Sequence, residues 1–277
     1  MKMLGIEEAI RVVRKKFPFE GAVDTPDADA QYHIVANTVL RYLSPGDRIL
    51  DFGAGSGDKT AILSALGFEC SAYDDLQDPG IHTEANREKI MAFAEEFSID
   101  YKLSNGPVPP FGKHSFDMVM MHGVLEHLHD SPRELLIDLL KLVRPEGYFF
   151  ATVPNAVNLR KRINVMFGKT NLPPFDSYYW YPGPWRGHVR EYAKDDLLKL
   201  SEYLELNEVE LRSCHFMLCE RVPKAARSLY RSLTTIFPGW RDTWLLVAKK
   251  RPDWAPRRSL PVSELHKLLH VPPSCLS

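Results

Sequence analysis

Residues 48–57 read Arg48-Ile49-Leu50-Asp51-Phe52-Gly53-Ala54-Gly55-Ser56-Gly57. A short apolar run carries one carboxylate, Asp51, near its end, and three glycines then alternate with small residues. From Lys59 to Leu66 the spacing of Ala61, Ile62, Ala65 and Leu66 is helical, so the stretch predicts strand, glycine turn and helix. Glycine allows a tight turn and lets a ligand approach the backbone closely. A dinucleotide turn would read Gly-x-Gly-x-x-Gly, with a pyrophosphate on the helix N-terminus. Here the third glycine comes one residue early, and Asp51 and Asp58 would set negative charge beside a phosphate. The turn suits a ligand with a positive head group and no phosphate.

Further segments extend the pattern. A second strand, Cys70-Ser71-Ala72-Tyr73, ends in Asp74-Asp75, 23 residues after Asp51, about where such folds bind ribose hydroxyls. Ser104-Asn105-Gly106-Pro107-Val108-Pro109-Pro110-Phe111 follows. Next comes an apolar strand, Met118 to Met121, that runs into His122-Gly123-Val124-Leu125-Glu126-His127-Leu128.

Together these segments resemble the class I S-adenosylmethionine-dependent methyltransferases. The resemblance implies an S-adenosylmethionine site with Asp51, Gly53, Ala54, Gly55 and Gly57 at the methionine end. It implies Asp74, with Asp75 beside it, on the ribose, Asn105 and Gly106 near the adenine, and His122 lining the pocket. Asn105 departs from the usual Asp, although an amide oxygen also accepts from an adenine N–H. The Phe116-Asp117 and Leu125-Glu126-His127 elements resemble small-molecule and glycan methyltransferases. The Asn/Asp-Pro-Pro-Tyr/Phe sequence of enzymes acting on nucleic-acid bases is missing, so no nucleic-acid partner is expected.

The 277 residues are 44% hydrophobic, enough to bury a full core, since a cofactor-binding core of this kind needs roughly 150–200 residues. Apolar runs are strand-sized, far short of the ~20 residues that span a bilayer. Cys70, Cys214, Cys219 and Cys275 lack Cys-x-x-Cys spacing, which speaks against a zinc site and a disulfide framework; no metal is expected. With no signal-peptide pattern at the N-terminus, the expectation is a cytoplasmic protein with reduced thiols. Residues 1–150 carry a net charge of −9, from 15 Lys/Arg against 24 Asp/Glu, and residues 151–277 carry +8, from 20 against 12. The basic half includes Arg160-Lys161-Arg162 and Arg221, Lys224, Arg227 and Arg231, which would attract an anionic acceptor or a membrane surface. A solvated face that complements the acidic half of the same or another subunit accounts for it equally.

Residues 1–47 read as an N-terminal helical cap and 48–251 as the core. Residues 252–277, with Pro252, Pro256, Pro261, Pro272 and Pro273, read as an extended arm with one short helix near Ser263–His270. Two inserts interrupt the core. Residues 156–193 are rich in aromatics and prolines, end in Gly187-His188-Val189-Arg190-Glu191-Tyr192, and are long enough to form a lid or binding loop. Residues 216–241 read as a basic amphipathic helical insert. Aromatic faces suit sugar rings and subunit interfaces alike, so a homodimer is among the expectations. The order β-α-β-α-β-β-α-β-α-β-β predicts an α/β, doubly wound, mainly parallel seven-stranded sheet with an antiparallel last strand.

A hydroxyl acceptor must lose a proton, and a histidine near neutral pKa is a natural base. His127 and His188 are the candidates, with Glu126 to orient one of them. The expected activity is O-methylation of a sugar hydroxyl on a glycan, nucleotide-sugar or glycolipid precursor. A quinone, phenolic or lipid acceptor is the first alternative, and a non-catalytic cofactor-binding partner subunit is the second.

Overall fold

The computed structural model describes residues 4–78, 83–270 and 272. Pro273 and Cys275 lie outside the described residues, and no disulfide joins the cysteines within them. Two helices lead: α1 (Ile6–Lys16) and α2 (Pro26–Tyr42). The Thr25 hydroxyl starts α2 by accepting from the Ala28 amide, and Pro26 takes the first helical position, where a missing N–H costs nothing. The alternating core runs β1 (Arg48–Phe52), α3 (Asp58–Ala65), β2 (Glu69–Asp74), α4 (Glu84–Glu96), β3 (Asp100–Leu103), β4 (Phe116–His122), α5 (Arg133–Leu142) and β5 (Val143–Pro154). After it come α6 (Leu159–Met166), α7 (Phe175–Tyr179), α8 (Lys194–Tyr203), β6 (Leu206–Cys214), α9 (Leu218–Arg221), α10 (Arg227–Ile236), β7 (Thr243–Lys250) and α11 (Val262–Leu269).

Among the described residues, seven strands join one sheet in the order β3-β2-β1-β4-β5-β7-β6. The pairings from β3 to β5 are parallel, and β7 runs antiparallel to both β5 and β6. The doubly wound sheet with an antiparallel last strand is therefore as the sequence predicts. β5 begins before its apolar run 148–153: Val143 already pairs with Phe116, and Arg144–Gly147 bulge out before Tyr148 meets Met118.

Alternation along the strands builds two apolar layers. Ile49, Met118, Met120 and Phe150 face a cluster shared with α1 to α4, while Leu50, Val119, Met121 and Phe149 face one shared with α5 and α8. A mainly parallel sheet is normally covered on both faces, and its strands read as continuous apolar runs for that reason. The chain winds outward in opposite directions from β1 and β4, so a crevice opens at the carboxyl ends of these neighbours, the usual ligand site of such sheets. Among the described residues no helix is long and apolar enough to cross a membrane.

Candidate active site

The glycine turn sits at that crevice. Gly53, Gly55 and Gly57 all have positive φ, at 75°, 55° and 76°. A side chain at Gly53 would place its Cβ 2.3 Å from Val124 Cγ2, so backbone and neighbouring turn pack without room for one. At Gly55 a Cβ would meet no atom within 4 Å: the backbone there faces open space, where a ligand can approach.

Asp51, at the end of β1, is buried. Its Oδ2 accepts from the Thr60 hydroxyl at 2.6 Å, while Oδ1 has no partner among the described residues. Burial pushes the Asp51 carboxyl up to about 6, against the pull of the Thr60 bond and Lys59. A buried carboxylate with one unpaired oxygen beside open glycine backbone fits the ammonium of S-adenosylmethionine. Burial also works to raise the Asp58 carboxyl, but Lys59 and the Tyr32 hydroxyl, which donates at 2.7 Å, outweigh it and hold it low. The charge that disfavoured a phosphate is thus real and already partnered. Nothing in the local sequence pattern links Tyr32 to this turn.

The ribose side differs in detail from the sequence expectation. Asp74 holds the turn itself: Oδ2 accepts from the Gly55 amide at 2.9 Å and Oδ1 from the Leu76 amide at 2.7 Å. Each oxygen keeps a second lone pair for a ribose hydroxyl. Asp75 instead binds Arg186, at 2.8 and 3.1 Å, and Arg186 also reaches Asp78 at 3.0 Å. Asn105 is exposed just beyond β3, and the Gly106 carbonyl accepts from Tyr73 and Ser104. His122 closes β4 with Nδ1 3.1 Å from the Thr152 hydroxyl and its ring edge-on to Phe150. Its Nε2 is buried with no partner among the described residues, and burial pulls the ring down to about 3, so it is neutral.

The three candidate catalytic residues come together. Glu126 and His127 lie on a 3-10 turn after β4, and His188 comes from the far end of the 156–193 insert. The two imidazoles meet edge to face, centroids 4.9 Å apart, and His188 Nε2 lies 4.0 Å from Glu126 Oε1. Burial pushes Glu126 up to about 7 and pulls His188 down to about 4. The insert is sewn to this turn. The Val189 amide donates to the Glu126 carbonyl at 2.8 Å, and His129 Nε2 donates to the Trp185 carbonyl at 2.8 Å. At its base the insert is clasped by Asn155, fully buried, whose side-chain amide donates to the Gly239 and Arg241 carbonyls and accepts from Val157. Asn155 also bridges to Tyr192, bringing the two ends of the insert side by side.

One reading of the basic half needs correction. Lys161 is buried and pairs with Glu191, so only Arg160 and Arg162 of that triplet can act as surface charge. Lys161 lies in the first turn of α6, where both it and Leu159 are buried.

Sheet order, glycine turn and placed carboxylates define the class I, Rossmann-like methyltransferase fold. The profile of the methyltransferase domain family matches residues 28–210, and the chain belongs to that family. An uncharacterized methyltransferase of Schizosaccharomyces pombe is 31% identical over 134 residues, 45% of this chain and 44% of that protein. A demethylmenaquinone methyltransferase of Corynebacterium efficiens is 26% identical over 147 residues, 48% of this chain and 58% of that protein. The chain spans about half the length of these curated relatives. A SAM-dependent methyltransferase of known structure from Methanosarcina mazei shares the fold, with TM-score 0.52 and 16% identity over 77% of this chain and 97% of that one.

Proposed function

We propose that this protein transfers a methyl group to a hydroxyl oxygen of an acceptor with a flat or apolar body, of the quinol, phenol or lipid kind. The observation that carries the reading is the meeting of Glu126, His127 and His188 beside the cofactor turn. The cofactor supplies an activated methyl group, so the protein has mainly to align the acceptor and handle one proton. Asp51 holds the ammonium, Asp74 the ribose, and the glycine turn admits the ligand to the backbone.

On the acceptor side, His127 donates Nδ1–H to the Arg186 carbonyl and His188 donates Nδ1–H to Glu191, at 2.6 and 3.0 Å. Both rings are thereby oriented with Nε2 free for a hydroxyl proton. A neutral imidazole is the form that accepts a proton, and burial keeps His188 in that form. The insert above presents Met166, Phe167, Leu172, Phe175 and Trp180 largely to solvent, between 71% and 81% exposed. Such a surface suits an apolar acceptor, and the menaquinone pathway activity in the name of the Corynebacterium relative supports the quinone class. A sugar hydroxyl on a glycan or lipid precursor is the second reading, favoured by the aromatic faces of Tyr178, Tyr179 and Trp180.

The test is methyl transfer from isotopically labelled cofactor to three acceptor sets: hydroxylated quinols and catechols, lipid-linked sugars, and free glycans. Label on a quinol or phenol oxygen is expected. Label confined to sugar oxygens would select the second reading, and label on nitrogen or carbon alone would overturn both.

A further inference from the structure

No metal is expected from the sequence, yet the three residues of the acceptor side have the donors and surroundings of a metal site. Glu126, His127 and His188 each offer a ligand atom, all within 4.8 Å of one another. Ligands held at ~2.1 Å with tetrahedral angles lie ~3.4 Å apart, so the 4.0 Å between Glu126 and His188 has to close by about half an ångström. No pair has to close by more than about 1.4 Å, a movement within reach of side-chain rotation.

Two independent observations point the same way. Glu126 is only 2% exposed, and its Oε2 is buried with no hydrogen-bond partner among the described residues. His188 Nε2 lies 4.0 Å from the other oxygen, Oε1, too far for a hydrogen bond. A buried polar atom of this kind demands a partner. The outer ring of contacts is also complete. Metal-bound imidazoles typically give their other N–H to a carbonyl or carboxylate, which fixes the tautomer and aims the free nitrogen. His127 does so to the Arg186 carbonyl and His188 to Glu191, and Glu191 is held in turn by Lys161.

We propose that Glu126, His127 and His188 form a site for one divalent transition-metal cation, with its remaining positions open to the acceptor. Two imidazoles and one carboxylate favour Zn²⁺, Fe²⁺, Co²⁺ or Mn²⁺ over the harder Mg²⁺ and Ca²⁺. Bound there, the cation would hold the acceptor's hydroxyl oxygen and lower its pKa, the proton leaving to solvent in place of transfer to an imidazole, because both Nε2 atoms would then be ligands. That role rests on the O-methylation reading; cation binding itself does not.

The experiment uses full-length, tag-free protein stripped with a chelator and titrated with Co²⁺. Uptake is followed by visible absorption and by elemental analysis, and S-adenosylhomocysteine affinity is measured in parallel. One equivalent of Co²⁺ is expected, displaceable by Zn²⁺. Glu126→Gln and His188→Asn should each weaken binding at least tenfold while leaving S-adenosylhomocysteine affinity within about twofold. His33→Asn, on α2 beside Glu7 and outside the cluster, should change neither. If Glu126→Gln does not fold, His188→Asn carries the test, since that ring is partly exposed. Wild-type protein that binds S-adenosylhomocysteine but takes up no more Co²⁺ or Zn²⁺ than His188→Asn overturns the site. Stoichiometric uptake with no methylation of any hydroxyl acceptor would support the site and sink the O-methylation reading instead.

Discussion

His127 Nδ1 lies 2.6 Å from the carbonyl oxygen of Arg186, whose own guanidinium grips Asp75 and Asp78 on the turn after β2. One residue of the insert therefore touches both halves of the site. Its backbone sets the imidazole, and its side chain sits on the turn that follows the ribose carboxylate.

Asp51 should make cofactor binding sensitive to acid. In the unliganded fold its carboxyl is raised to about 6, and an ammonium partner favours the ionised form. Affinity is then complete above about pH 6 and falls as pH drops through it, roughly tenfold per unit until the bound-state pKa is reached. Calorimetry with S-adenosylhomocysteine between pH 5 and 8 measures this. Asp51→Asn should bind ten- to a hundredfold more weakly at pH 7.5, about 1.5–3 kcal/mol, with a flatter pH profile. A wild-type affinity constant over that range would refute the assignment.

The adjacent acids should separate cleanly. Asp74→Asn loses a charged acceptor for the Gly55 and Leu76 amides as well as for ribose, so cofactor affinity should fall about tenfold or more. Asp75→Asn should leave affinity within about threefold and instead loosen the insert near Arg186. Limited proteolysis at 182–190 reports the second effect; equal losses of affinity in both variants would contradict it.

Substituting either histidine should spare the cofactor and damage turnover. His127→Ala and His188→Ala are expected to bind S-adenosylhomocysteine like wild type and to lose ~10²–10⁴ in kcat. Single-turnover rates with the best hydroxyl acceptor decide it. Full activity in both would remove the cluster from the chemistry.

Asn155 offers a test of how the insert is held. Asn155→Ala leaves two carbonyls and one amide without partners, a loss of about 2–4 kcal/mol, or roughly 5–15 °C in Tm. Hydrogen exchange should quicken across residues 156–193 while β1 and β4 stay protected. A lowered Tm with unchanged exchange in the insert would show that Asn155 secures only the β7 side.

What could be read in the sequence is what lies close along the chain. The glycine turn, Asp51 at the strand end and Asp74 beyond the second strand follow from spacing, because strand, turn and helix are local and repeat in a fixed order. Glu126 and His127 are sequence neighbours, and the 156–193 insert stands out by composition. The contacts that were not legible join distant segments: Tyr32 from α2 to Asp58, Lys161 to Glu191, and Asn155 to the loop before β7. Lys161 between two arginines looks like one of three solvated charges, and only the packing of α6 turns it inward. Likewise, nothing in the spacing of Glu126, His127 and His188 announces a shared ion, since the insert folds back over the turn before the three donors meet.

The contact between Gly53 and Val124 acts as a mechanical stop. Because the valine fills the space that any Cβ at position 53 would occupy, the cofactor turn and the turn carrying Glu126 and His127 rest directly on each other. Hydrogen bonds and ion pairs stretch, and weaken with acid or salt, but a hard-sphere contact cannot be shortened by either. The spacing between the cofactor turn and the turn carrying Glu126 and His127 is thus gauged by shape rather than charge, so it should outlast changes of pH or ionic strength that disturb everything around it.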